Sequence, residues 1–408
     1  MNRIAAASAA LLATTALAQA GGLDRNTLGT GFLFESGTYL ELGFSTVSPT
    51  VSGTLASNGT PSGDIAPSYN FATLSYTQEV TDTLTFGLVV DAPYGADVAY
   101  NGVFATTGYP FAGSEAEIRT QQLTAALRAG LTDNLSVYGG LRALRIQGDA
   151  YVTALGGVIT NPAVGVSGFN YELTADSDWS LGYMLGGAYE IPEIALRVAV
   201  TYFSEIKSTL SGTEGADPLF SPVQNPLDTQ QVLAAIGQLA PLLGQPVSSG
   251  NVAPTRFDVT MPQSLLVEAQ SGIAPGTLLF GSVRWTNWDG FDITPNAYPG
   301  VSLVDYENDV WTWSLGVGRR INDDLAVSAS LGYEAQLGGF SGNLGPTDGR
   351  MSLGIGAEYQ ITDTVSLAGG VQWSKIGDAQ TEGSPDTVLA NFTNNDALAA
   401  GIRLGIQF

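Results

Sequence analysis

Apolar residues recur at every second position in many short runs along the chain. In its last stretch, ALAAGIRLGIQF, Ala400, Ile402, Leu404, Ile406 and Phe408 alternate with Ala399, Gly401, Arg403, Gly405 and Gln407. A period of two is the mark of a β-strand with one apolar and one wet face. Leu135, Val137, Gly139 and Leu141 alternate in the same way with Ser136, Tyr138, Gly140 and Arg142. So do Leu196, Val198, Val200 and Tyr202 with Arg197, Ala199, Thr201 and Phe203, and Trp311, Trp313, Leu315 and Val317 with Thr312, Ser314, Gly316 and Gly318. Short polar turns join such runs in pairs: Thr81-Asp82-Thr83, Thr132-Asp133-Asn134, Asn322-Asp323-Asp324 and Thr362-Asp363-Thr364, with Pro192 and Pro275-Gly276 marking two more. This is Asx and Gly/Pro turn chemistry between hairpin strands.

The pattern predicts fourteen strands, beginning near residues 37, 69, 84, 115, 135, 177, 194, 257, 277, 308, 325, 348, 365 and 396. Six short turns then alternate with seven long connections. An even strand number with short turns on one side and long loops on the other is the plan of a bacterial outer-membrane barrel. Closure removes every unpaired strand edge, which lipid would penalise. The last strand must then close on the first, and Phe408 lies at the periplasmic rim, where aromatic girdles sit. A terminal Phe preceded by alternating apolar residues also resembles the signal read by barrel-assembly machinery. A soluble β-sandwich alternates too, but does not bring together a terminal Phe, aromatic strand ends and an export signal.

Composition agrees with this reading. Hydrophobic residues make up 44% and charged residues 13% of the chain, yet no run after the N-terminus is long enough for a membrane helix, which needs about 20 apolar residues. At the N-terminus Arg3 precedes an Ala/Leu-rich run from Ile4 to Leu17, followed by the small-x-small site Ala18-Gln19-Ala20. The expected organisation is a signal peptide at 1–20, a short N-terminal plug segment at 21–36 and a 14-stranded antiparallel transmembrane β-barrel at 37–408, an all-β monomer set among outer-membrane lipid and lipopolysaccharide. The net charge of −23 argues against nucleic acid, which needs a basic footprint. There is no His and no Cys, which rules out Ser-His nucleophiles, thiolates and ordinary zinc sites. No spacing resembles a calcium loop. No enzyme, cofactor or metal site is expected.

Function must therefore come from the lumen and the loops. Taking the polar parity of each strand as inward, Arg128, Arg142, Arg197, Lys207, Arg284, Arg320, Arg350 and Arg403 point into the barrel, together with Glu41, Glu79, Glu205, Glu268, Glu334 and Glu358. The lumen is roughly charge-balanced and the loops are acidic.

Three stretches resemble one family. FDVTMPQSLLVEAQSGIAPGTLLFGSVRWTNWDGFDI, Phe257 to Ile293, looks like the strand pair of FadL-type long-chain fatty-acid and hydrocarbon transporters, with a Met-Pro opening and a closing Trp cluster. Trp179 to Gly212 resembles that family's hairpin with a Tyr-x-Ser-x-hydrophobic-Lys ending, here Tyr202, Ser204, Ile206 and Lys207. GLVVDAPYGADVAY, Gly87 to Tyr100, resembles its third strand, interrupted by Pro-aromatic-Gly. The resemblance runs from about Gly37 to Phe408. It implies a transporter that collects hydrophobic compounds, long-chain fatty acids foremost, in a loop groove, holds them in a lumenal pocket and releases them sideways through the wall.

Carried onto this chain, the implied lateral gate is Asp91, Pro93, Tyr94 and Gly95, since a mid-strand Pro cannot donate to the ladder. The loop groove is sought in residues 149–176 and 212–256. There Asp228 can cap a helix presenting Val232, Leu233, Ile236 and Leu239 on one face. A fatty-acid carboxylate entering an apolar pocket needs a charged partner, and Lys207 and Arg284, with Arg142 behind them, are the candidates. The family's longer plug and its Asn-Pro-Ala motif are missing before the first strand; Asn161-Pro162-Ala163 stands in a long loop instead. That departure keeps open a non-specific diffusion channel (porin) for small polar or amphipathic solutes. An adhesive surface protein with cation-bridged acidic loops is a third reading.

Overall fold

The computed structural model describes residues 22–26, 29–154, 166–220, 252–298, 302–384 and 386–408. Fourteen antiparallel strands form the wall: β1 (Thr38–Thr50), β2 (Tyr69–Thr81), β3 (Leu84–Asp91 and Gly95–Ala99), β4 (Glu115–Gly130), β5 (Leu135–Ala154), β6 (Val166–Ser177 and Ser180–Ile191) and β7 (Leu196–Phe203 and Ile206–Phe220) in the first half. The second half is β8 (Ala253–Met261 and Ser264–Ala274), β9 (Thr277–Thr286), β10 (Val310–Arg320), β11 (Leu325–Glu334), β12 (Arg350–Thr362), β13 (Val365–Ile376) and β14 (Asp396–Gln407). The last strand pairs with the first from Tyr39 opposite Gln407 to Thr50 opposite Asp396, closing the barrel. The Phe408 N–H donates to the Thr38 carbonyl at 2.8 Å and its ring is exposed.

Period two sorts the faces as the sequence predicts. Leu42, Phe44, Leu127, Leu141, Leu185, Leu315, Leu353 and Ile402 are exposed on the outer face, while Thr124, Arg142, Arg197, Glu268, Glu334, Glu358 and Gln372 are buried within. Such an inverted surface is stable only where lipid covers it. The short turns close by side-chain capping: the Asn322 carboxamide oxygen accepts from the backbone N–H of Asp324 (3.0 Å) and Leu325 (2.8 Å). At the opposite end the long connections build a small sheet from Ser52–Leu55, Pro61–Asp64, Phe340–Ser341, Ala379–Ser384 and Thr387–Phe392, and a hairpin of Phe291–Ile293 with Val304–Tyr306.

Three adjacent strands break at one level, at Asp178-Trp179 in β6, Ser204-Glu205 in β7 and Pro262-Gln263 in β8. The break in β7 shifts its parity. Arg197, Ala199, Thr201 and Phe203 are buried before it, Ile206, Ser208 and Leu210 after it. Lys207 therefore points outward, 73% exposed, 3.9 Å from an equally outward Glu205. Strict alternation had placed both in the lumen; a shift of one residue at the break is enough to turn the face over.

Candidate functional site

The described residues before β1, 22–26 and 29–37, lie inside the barrel. Gly31–Phe34 form a 3-10 turn whose Leu33 is fully buried with Ala126, Tyr138, Met184, Ala199 and Leu266. The Phe34 ring is flanked by two guanidiniums, those of Arg128 and Arg197, each 4.4 Å from its centre, an arrangement attractive to the ring quadrupole. Glu268 of β8 accepts from both the backbone and the hydroxyl of Thr30. Glu35 is buried, and burial, reinforced by Glu41 and opposed by Arg197, pushes its carboxyl up to about 8.

Further toward the N-terminus the same segment meets the interruption in β3. Asp24 bridges Tyr94, the backbone N–H groups of Arg25 and Asn26 donate to the Pro93 carbonyl at 2.8 and 3.2 Å, and the Gly95 N–H donates to the Leu23 carbonyl at 2.8 Å. A proline offers no N–H of its own, so the ladder stops here and the freed carbonyl turns to the segment inside.

The interruption opens the wall. β2 and β3 pair from Thr81 opposite Leu84 up to Leu74 opposite Val90. Above that, Gly95–Ala99 pairs only with β4, from Gly95 opposite Arg119 to Ala99 opposite Glu115. Among the described residues no ladder joins this stretch to the outer half of β2, until the Ala99 N–H reaches the Ile65 carbonyl at 2.8 Å. The result is a window between β2 and β3. Tyr69 and Phe71 stand on its β2 edge, their rings 6.4 Å apart, and Gly95 to Val98 form the other edge.

Two cavities meet at the N-terminal segment. The outer one, about 120 Å³, is lined mainly by apolar groups, among them Leu23, Val47, Ile65, Val98, Leu303 and Ile376. It also touches Tyr69, Gly95, Ala96 and Asp97, both edges of the window. Beneath its floor Trp288, wholly buried, packs edge-on to Tyr94 and Phe291. The inner cavity, about 200 Å³, is bounded by Asn26, Gly29 and Phe32 and by polar lumenal groups such as Glu41, Glu268, Arg284, Arg350 and Arg403.

Several of the lumenal charges are already matched. Arg25 pairs with Asp97, Arg128 with Glu190, Arg284 with Asp24 (3.3 Å), Arg350 with Glu334 (3.8 Å) and Arg403 with Glu41 (3.4 Å). Asp24 itself titrates above the ordinary carboxylate range because it is buried, with Arg284 and then Arg350 opposing the shift. Of the residues expected to meet a carboxylate, Arg284 lines the inner cavity. Arg142 is buried, donating to Gln122 (2.9 Å) and to the Ser204 carbonyl (3.2 Å), and Lys207 stands on the opposite face of the wall. Asp91, Pro93, Tyr94 and Gly95 all sit at the break. The helix expected to carry Val232, Leu233, Ile236 and Leu239 lies outside the described residues, as does Asn161-Pro162-Ala163. Sequence reasoning passed over Asp24 and Arg25, whose partners are 260 and 72 positions away; no local periodicity marks them.

A closed, lipid-facing barrel with an apolar outer cavity beside a wall opening defines the class of outer-membrane transport barrels. The family model for outer membrane protein transport protein (OMPP1/FadL/TodX) matches residues 23–407, and the chain belongs to that family of outer-membrane transporters of hydrophobic compounds. It is a transport protein of the outer membrane and not an enzyme. Its fold is similar to a Pseudomonas aeruginosa FadL homologue (17% identity, TM-score 0.75, covering 93% of this chain and 92% of the other). The Pseudomonas putida toluene transporter TodX (14%, 0.65, 96% and 97%) and the Ralstonia pickettii toluene transporter TbuX (14%, 0.60, 96% and 96%) share it. No curated protein sequence matches the chain.

Proposed function

We propose that this protein takes up small uncharged hydrophobic compounds, holding them in the outer cavity and releasing them sideways through the window between β2 and β3 into the membrane. The observation that carries this reading is the lining of the outer cavity, which is apolar and includes both window edges. An apolar solute moving from that cavity into lipid never has to enter the polar lower lumen. Its volume of about 120 Å³ is of the size of a dry apolar cavity that takes benzene, roughly 150 Å³. The toluene transporters of similar fold fit the same reading.

Long-chain fatty acids, which the sequence pointed to, are the second reading. Arg284 favours it, as the candidate cation that lines the inner cavity. A substrate carboxylate would have to replace Asp24 there, and breaking a buried pair leaves an uncompensated charge. A diffusion channel is disfavoured by the N-terminal segment, which occupies the lumen at Leu23–Asn26 and Gly29–Glu35.

Uptake measurements separate these readings. Cells producing the protein are expected to accumulate a radiolabelled alkylbenzene faster than cells lacking it, while proteoliposomes remain impermeable to small sugars in a swelling assay. Sugar permeation without enhanced alkylbenzene uptake would favour the diffusion channel. Enhanced uptake confined to fatty acids would favour the second reading.

A further inference from the structure

We infer that Arg25 is a bolt across the window, a positioning residue that joins its two edges from inside and must let go for cargo to leave. The inference rests on the lateral-release reading and adds to it the residue that controls the exit. The guanidinium of Arg25 lies over the Tyr69 ring, 4.3 Å from its centre, on the β2 edge. The same guanidinium pairs with Asp97 on the β3 edge. Among the described residues no strand ladder connects those edges at this level, so the side chain spans a gap in the ladder of the wall. Arg25 is itself anchored, its N–H bonded to Pro93 within the break.

The site is built for this side chain. Arg25 is 8% exposed, and a planar guanidinium can stack on a ring with its face while pairing with a carboxylate along its edge, which the ammonium of a lysine cannot do. A side chain at position 95 is excluded: a Cβ on Gly95 would stand 2.6 Å from the Arg25 Nε and 2.8 Å from the Ile118 carbonyl oxygen. Gly95 thus lies between the bolt and the backbone of β4, with no room for a side chain. The outer cavity borders Leu23, Tyr69, Gly95 and Asp97, so cargo in that cavity abuts the contacts that hold the bolt. Cargo that wedges Tyr69 away from the guanidinium loosens one end, and the Asp97 end alone does not bridge the gap.

The test uses the full-length protein, which has no cysteines. Spin labels at Asn70→Cys and Ala96→Cys report the distance across the window, and heat-modifiability on a gel confirms that each variant forms the barrel. Arg25→Met keeps the length of the side chain but removes its charge and plane; Asp97→Asn leaves Arg25 in place with a weaker partner and serves if Arg25→Met does not fold. Both are expected to broaden and lengthen the distance distribution, raising the open fraction about tenfold, as expected for loss of a desolvated cation–π and charge contact. Arg25→Lys is expected to fall between. Unchanged distributions in the folded variants would overturn the bolt. If the window widens while alkylbenzene uptake stays at the parent rate, the bolt stands and lateral release falls; with both readings right, uptake rises as the window widens.

Discussion

Asp24 and Arg284, 260 positions apart in the chain, form an ion pair at 3.3 Å between the N-terminal segment and β9. It ties the segment to the wall across the lumen from the window, just below the outer cavity. Removing the cation leaves a buried carboxylate without its main partner, at a cost of about 3 kcal/mol. Arg284→Ala is therefore expected to speed hydrogen exchange at the Arg25, Asn26 and Gly95 amides roughly a hundredfold, by the relation of free energy to equilibrium. Adding Asp24→Asn to the variant should restore part of the protection. Unchanged exchange would mean that the pair contributes nothing to holding the segment.

Glu35 makes the lower part of the segment sensitive to pH. Its folded-state value of about 8 lies above the ordinary 4.5, so folding favours the protonated form. That contribution is fully present below about pH 4.5 and is lost as pH rises through 8, by the linkage rule. After correction for intrinsic exchange, amides of Gly31–Phe34 should be less protected at pH 9 than at pH 6. Glu35→Gln should remove the difference.

Leu33 is the segment's apolar anchor, with Phe32 and Leu33 pressed against Gly87, where a Cβ would come within 2.5 Å of the Phe32 ring. Leu33→Ala should weaken docking of the segment by about 3 kcal/mol, the usual scale for a buried Leu truncation. The barrel should keep its heat-modifiability, because the ladders of the wall do not involve Leu33. Proteolysis of the N-terminal segment, with an intact barrel band beside it, is the expected result.

The wall was legible in the sequence because alternation is a local signal and the short turns carry their own chemistry, as in Asn322 to Leu325. Pro93 disclosed the break in β3 for the same reason: a missing donor is written in one residue. The opposite orientation of Lys207 was hidden, because Ser204 and Glu205 interrupt a strand without a Pro or Gly to announce it. Asp24 and Arg25 were hidden more deeply. Their meaning depends on Arg284, Tyr69 and Asp97, which closure of the barrel brings to them from distant strands.

Lateral release is tested most directly by locking the window. Cysteines at Asn70 and Ala96, in a chain with none of its own, can be joined across the opening by a bifunctional maleimide with a reducible spacer. With the link in place, alkylbenzene uptake should fall to the level of cells lacking the protein, and cleaving the spacer should restore it. Full uptake through a locked window would contradict release between β2 and β3.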